Sequence, residues 1–168
     1  MPKIIKDLKN KLISEAQRQV EALGYGAVTM RSVAKACGVG VGTVYNYFPS
    51  KDALLAGYML RDWESCLAAI QATSDKSQAP KAVARCIFDQ LLAYTRRHEG
   101  LFADGAARAA FAGAFGRYHG MLRSQLALPL RKFCQSDFAA DFIAEDLITW
   151  AMAGADFDTL YAMLQKLF

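Results

Sequence analysis

Apolar residues recur at three- and four-residue steps along almost the whole chain, the spacing of helices that bury one face. Ile5, Leu8, Leu12, Ala16, Val20 and Leu23 form the first such face and predict a helix over about Lys3–Leu23. Gly24 suits the left-handed stop that follows it, and Tyr25 is placed to fold back on Val20. Thr29 then serves as N-cap for a short helix over Met30–Cys37, in which Val33 and Cys37, with Val39 beyond, are apolar where a second helix must cover them. Small Ala34 permits close approach, Gly38 takes the positive φ of a tight turn, and Val44 supplies the apolar plug of a third helix over about Val41–Phe48.

Ser50 caps a fourth helix from Lys51 to about Ala72, carrying Leu54, Leu55, Tyr58, Met59, Trp63 and Leu67. The polar run at 73–79 reads as a loop, and Pro80 opens the next helix, whose buried face is Val83, Ile87, Leu91 and Tyr94 and which ends near Arg97. A break at His98–Gly100 precedes an Ala- and Gly-rich stretch that predicts a short helix, a second break and a long helix ended near Ala127 by Pro129. Asp137 caps a further helix. Its apolar positions Ile143, Leu147, Trp150 and Gly154, continued by Phe157, Tyr161, Leu164 and Phe168, alternate four- and three-residue steps like a seam for a partner. With no strand signal, repeat or low-complexity tract, the fold class is all-α: a three-helix head on a larger C-terminal helical body.

Charge sharpens this division. Residues 1–51 hold eight Lys/Arg against three acids, whereas the remainder holds twelve against thirteen, so the head is basic and the body nearly neutral. A basic head is an electrostatic footprint for phosphate, although a solvated helix face gives the same count. At 54% apolar the chain has ample surface to bury, and it lacks a run of about 18 apolar residues long enough to span a membrane. A charged N-terminus unlike a signal peptide makes the expected location cytoplasmic. Cys37, Cys66, Cys86 and Cys134 show no CxxC spacing and read as buried thiols. His98 and His119 form no metal-binding run, so neither a metal nor a cofactor is expected. No nucleophile elbow or phosphate loop points to an enzyme. Gly38, Gly40 and Gly42 mimic a dinucleotide loop, but a helix precedes them and the third glycine falls at the wrong offset.

The side chains left outward on the third helix are Val41, Thr43, Tyr45, Asn46 and Tyr47, joined by Arg31 and Lys51 at the starts of flanking helices. Val41 suits a thymine methyl and Arg31 a bidentate contact to guanine. The alternative for Tyr45 and Tyr47 is a place in the core, and for Arg31 a solvated cation.

Thr29, Ala34, Gly38-Val39, Gly42-Thr43, Tyr45, Tyr47-Phe48 and Lys51 together resemble the N-terminal domain of TetR-family transcriptional regulators. The resemblance covers roughly the first third of the chain. It implies a helix-turn-helix DNA-binding domain over 1–50 and an effector-binding and dimerisation domain over 51–168. It also implies that Thr43 and Tyr47 grip phosphates, that Tyr45 and Lys51 touch bases or backbone, and that Arg31 reads a base. Asn46 departs from the bulkier aromatic or His seen at its position in relatives.

The implied function is a homodimeric repressor of a palindromic double-stranded operator, released when a small molecule moves the helix that begins at Lys51. Trp63, Phe102, Phe111, Phe115, Tyr118 and Met121 are the candidate pocket for an apolar or aromatic effector. Ile143, Leu147, Trp150, Phe157, Tyr161 and Leu164 are the candidate dimer interface. The rival readings are an effector-free architectural DNA-binding protein and an all-α small-molecule carrier or enzyme.

Overall fold

The computed structural model describes residues 7–168, with the backbone alone at 113–117. The start of the first helix at Lys3 and Ile5, and the side chain of Phe115, lie outside the described residues. Among the described residues the chain is all-α: α1 Leu8–Leu23, α2 Met30–Cys37, α3 Val41–Tyr47, α4 Lys51–Lys76, α5 Pro80–Arg97, α6 Glu99–Ala103, α7 Gly105–Ala127, α8 Asp137–Met152 and α9 Phe157–Leu164. Short 3-10 turns follow α1, α7 and α9. No described helix is long and apolar enough to cross a membrane.

Two compact units form, 1–61 with 98–112, and 62–97 with 113–168. This differs from a division at residue 50, for a packing reason. Leu54, Leu55 and Tyr58 of α4 are buried in the same cluster as Leu12, Val33, Val44 and Phe48, and Leu101 and Ala107 join it. The three-helix head is too small to enclose a core alone and takes in the first turns of α4 together with α6. Gly57 permits this. A Cβ there would stand 3.1 Å from Phe48 Cε1 and 3.5 Å from Ile13 Cδ1, so a side chain at this position would push the Phe48 ring back by a few tenths of an ångström.

The second unit has an apolar core of Trp63, Ile70, Ile87, Phe88, Leu126, Leu130, Ile143, Leu147 and Phe157, among others, with α5 packed on α8 and α9. Here α4 runs past the expected end near Ala72 to Lys76. The Thr73 hydroxyl donates to the Ala69 carbonyl at 3.1 Å, and buried Ser74 donates to the Pro129 carbonyl at 3.4 Å. Lys132 Nζ donates to the carbonyls of Ser74 and Ser77, satisfying the helix end from outside the helix. Tertiary partners therefore override a turn-like composition. Ser136, one residue earlier than expected, caps α8 by accepting from the Ala139 amide at 3.1 Å. Gly154 takes φ 70 at the break before α9, whose cap is Asp156.

Candidate nucleic-acid interface

The helix pair forms as its local chemistry dictates. Thr29 Oγ1 accepts from the Ser32 amide at 3.0 Å while Ser32 Oγ accepts from the Thr29 amide at 3.1 Å, a reciprocal cap at the start of α2. Gly38 ends α2 at φ 67, in the left-handed region, and the Val39 amide donates back to the Ala34 carbonyl at 3.0 Å. α3 then starts from extended Gly40, with Val44 and the following Phe48 buried beneath it.

Val41, Tyr45, Asn46 and Tyr47 are exposed and Thr43 half-buried, so Tyr45 and Tyr47 are surface aromatics and not core. A Cβ at Gly42 would meet nothing within 4 Å, so this glycine fills no packing need and leaves the backbone of α3 bare on its outer side. Arg31 projects exposed from the first turn of α2.

Lys51 departs from a freely projecting cation. Its ammonium donates to the Tyr25 carbonyl at 3.1 Å and lies 3.7 Å from the centroid of the Tyr25 ring. The Tyr25 hydroxyl donates to Asp52 Oδ1 at 2.6 Å, so one aromatic residue is held by both opening residues of α4. Burial, with the Asp52 hydrogen bond and charge, pushes the Tyr25 phenol up to about 12. Tyr25 thus docks on α4 and does not simply close α1; Gly24 has φ 80 but an extended ψ of 168. Tyr58 OH donates to Glu21 at 3.0 Å, and Arg61 donates to Ser14 at 2.9 Å and Gln17 at 2.7 Å, tying α4 to α1.

Gln19, which apolar periodicity does not single out, is buried and sits three residues after Ala16 on the inward face of α1. A polar side chain on an apolar stripe was its visible signal. Glu15, half-buried beside it, is held below the usual carboxylate range by hydrogen bonding to Arg18, with Gln19 adding a further bond. The thiols of Cys37, Cys66 and Cys134 are pushed up by burial, which keeps them protonated and poorly nucleophilic.

The other two candidate sets are placed differently from expectation. Of the effector candidates, Phe102 and Phe111 belong to the first unit, and Trp63, Tyr118 and Met121 to the second. Trp63 is a core residue whose Nε1–H donates to Gln125 Oε1 at 2.8 Å, whereas Tyr118 and Met121 are exposed. The second unit does contain an apolar hollow of about 310 Å³, lined by Leu67, Ala68, Ile70, Gln71, Gln125, Leu128 and Pro129, to which none of the candidates contributes.

Of the dimer candidates, Ile143, Leu147, Phe157 and Leu164 are buried in the protomer's own core and offer nothing to a partner. Tyr161 is half-buried and stacks on Phe157 at 5.6 Å, which leaves Trp150 exposed. The apolar surface of α8 and α9 is instead Phe138, 79% exposed, with Phe142, Trp150, Met152 and Met163.

A glycine-turned helix pair that buries Val44 and presents polar and aromatic side chains from its second helix defines a helix-turn-helix head on an all-α body. Residues 12–58 match the family model of bacterial regulatory proteins, tetR family. Over 59 residues the chain is 39% identical to the HTH-type transcriptional repressor KstR of Rhodococcus jostii, covering 35% of this chain and 28% of that protein. The chain thus spans less than a third of the length of that sequence relative. Two solved structures share the fold over nearly the whole chain. The TetR family repressor AlkX from Dietzia, implicated in biodegradation of n-alkanes, is 18% identical with TM-score 0.63, covering 94% of this chain and 97% of AlkX. Thermus thermophilus FadR, a TetR-family repressor in complex with lauroyl-CoA, is 22% identical with TM-score 0.61, covering 94% of this chain and 90% of FadR. Over residues 12–58 the chain thus matches the N-terminal domain of the tetR family of bacterial regulatory proteins.

Proposed function

We propose that this protein is a DNA-binding transcriptional repressor that acts as a homodimer on a palindromic operator and is released by a small apolar effector. The observation that carries the reading is the exposed surface of α3, where Val41, Thr43, Tyr45, Asn46 and Tyr47 stand outward over a buried Val44 and Phe48. A major groove admits one such helix, and its few projecting side chains divide between base edges and phosphates. Arg31 and Val41 are the base readers in this reading, and Thr29, Thr43 and Tyr47 hold phosphates. Tyr45 and Asn46 meet the groove near the end of α3. Lys51 contributes its charge while it anchors Tyr25.

Homodimerisation is supported by the exposed Phe138, Phe142, Trp150, Met152 and Met163, a group of large apolar side chains that water disfavours. Two heads then meet grooves one turn of duplex apart or a multiple of it, about 34–36 Å per turn. An apolar effector is supported by the hollow lined by Leu67, Ile70, Leu128 and Pro129, and the structurally similar FadR holds lauroyl-CoA, whose acyl chain is apolar. Such a molecule releases DNA only if it binds the released arrangement more tightly than the bound one.

The testing experiment is footprinting on the DNA flanking the protein's own gene, repeated with lauroyl-CoA and with a panel of smaller apolar compounds. The expected result is a protected palindrome that some compound abolishes. Protection that no compound alters favours an effector-free architectural role, and absence of any protected duplex overturns the DNA-binding reading.

A further inference from the structure

A chain of hydrogen bonds runs from exposed Arg18 on α1 through buried Gln19 to the first turn of α2. Arg18 donates twice to Glu15, at 3.0 and 2.6 Å. Gln19 Nε2 donates to Glu15 Oε1 at 2.8 Å, which fixes the otherwise ambiguous orientation of the Gln19 amide, because a carboxylate accepts and never donates when ionised. Gln19 Oε1 therefore faces Ser32, whose hydroxyl approaches it at 2.5 Å. The Ser32 proton has a second acceptor within reach, the Thr29 carbonyl at 2.9 Å, but that carbonyl already receives the Val33 amide at 3.1 Å. Gln19 is only 4% exposed, and its oxygen would be left unsatisfied without the Ser32 proton, so burial decides in favour of Gln19.

With its proton committed inward, Ser32 Oγ accepts from the Thr29 amide, and Thr29 Oγ1 in turn accepts from the Ser32 amide. The Thr29 hydroxyl has then spent an acceptor site inside the cap, and its own proton remains for an outside group. Thr29 is exposed, so that group comes from solvent or from a bound partner.

We propose that Gln19 is a positioning residue for DNA binding: through Ser32 it fixes the reciprocal cap so that the Thr29 hydroxyl stands as an outward donor to a phosphate oxygen of the duplex. This rests on the DNA-binding reading and adds a polarity to it. Phosphate oxygens only accept, and the Thr29 hydroxyl, whose oxygen already takes the Ser32 amide, meets one with its proton, while Gln19 holds Ser32 and so the cap that aims it. Gln19 itself touches no DNA, and its effect passes through Thr29.

The test is a double-mutant cycle on duplex affinity at fixed salt, using Gln19→Leu and Thr29→Val in the full chain. Thr29→Val is expected to weaken binding about tenfold, the loss of one hydrogen bond to a charged group, and Gln19→Leu about three- to tenfold. In the Thr29→Val background, Gln19→Leu is expected to change affinity by less than about twofold, because the group through which it acts is gone. Thr29→Ser, which keeps the hydroxyl, should restore the full effect of Gln19→Leu. A merely structural Gln19 would weaken binding equally in both backgrounds, and that additivity overturns the proposal. So does a Gln19→Leu protein that binds as the wild type does. If Gln19→Leu melts, Gln19→Met keeps a flexible side chain of similar length without the amide and carries the same cycle. A wild-type protein that selects no duplex from a random pool fails the DNA-binding reading itself, which separates that failure from one confined to Gln19.

Discussion

The two units are held together by different means, although both are helical and both bury apolar faces. In the first, directional polar contacts tie one helix end to another: Gln19 to Ser32, Tyr25 to Lys51 and Asp52, Tyr58 to Glu21, and Arg61 to Ser14 and Gln17. In the second, the long faces of α5 and α8 meet through fully buried Ile87, Ile143 and Leu147, and polar contacts such as Trp63 with Gln125 supplement an apolar mass. Apolar packing is non-directional and tolerates rearrangement at constant volume, whereas hydrogen bonds fix angles. In the proposed DNA-binding role, a head that presents α3 in one orientation gains from the second kind of constraint.

The largest effect is expected where the apolar unit is broken by a charge. Leu147→Glu places a carboxylate at a fully buried position, so the second unit should lose several kcal/mol and bind a hydrophobic dye, as read by calorimetry and dye fluorescence. A folded, dye-negative Leu147→Glu monomer would return that residue to a partner-facing surface. The next effect belongs to the first unit and to shape. Gly57→Val adds carbons where a Cβ alone would stand 3.1 Å from Phe48, and should cost about 1 to 3 kcal/mol in thermal unfolding. Wild-type stability in that variant would mean that the helices separate freely.

A smaller loss should come from one directional bond. Tyr25→Phe removes the donor to Asp52 and keeps the ring beneath Lys51, at a cost of about 1 kcal/mol in denaturant unfolding. The accompanying pH dependence has a definite sign. The folded-state phenol is pushed up to about 12 from the ordinary tyrosine value of about 10, so the neutral form is the one the fold favours. Its contribution is complete below pH 10 and disappears as pH rises toward 12. The Tyr25→Phe protein should lack that alkaline loss, and identical alkaline melting of the two proteins would remove Tyr25 as its source.

Least affected in protomer stability should be the exposed apolar face. Phe142→Glu with Trp150→Glu should change unfolding by no more than about 0.5 kcal/mol, because both side chains already face outward. In the dimer reading the same pair yields monomers in sedimentation and loses palindrome protection. Unchanged association would place the interface elsewhere.

Features that depend on neighbours a few residues apart are legible in the chain alone. Thr29 caps α2, Gly38 turns the chain at positive φ, Pro80 opens α5 and the Ala127–Pro129 step ends α7, because caps, turns and proline rings act within one helical turn. Legible in the same way are the positions of α3 that point outward, since 3.6-residue periodicity around Val44 leaves little choice.

What each apolar face meets is settled by long-range packing. The four- and three-residue steps through Ile143, Leu147, Phe157 and Leu164 describe a buried seam equally well whether the cover is α5 of the same chain or a helix of another, and the cover is the protomer's own core. In the same way Ser74 and Lys132 carry α4 through a stretch that reads as a loop, and Gln19, polar on an apolar stripe, acquires its meaning from Ser32 across the head. Local chemistry sets where helices begin, turn and end. Which surfaces they bury is set by residues far apart in the chain, whose proximity no short window of sequence contains.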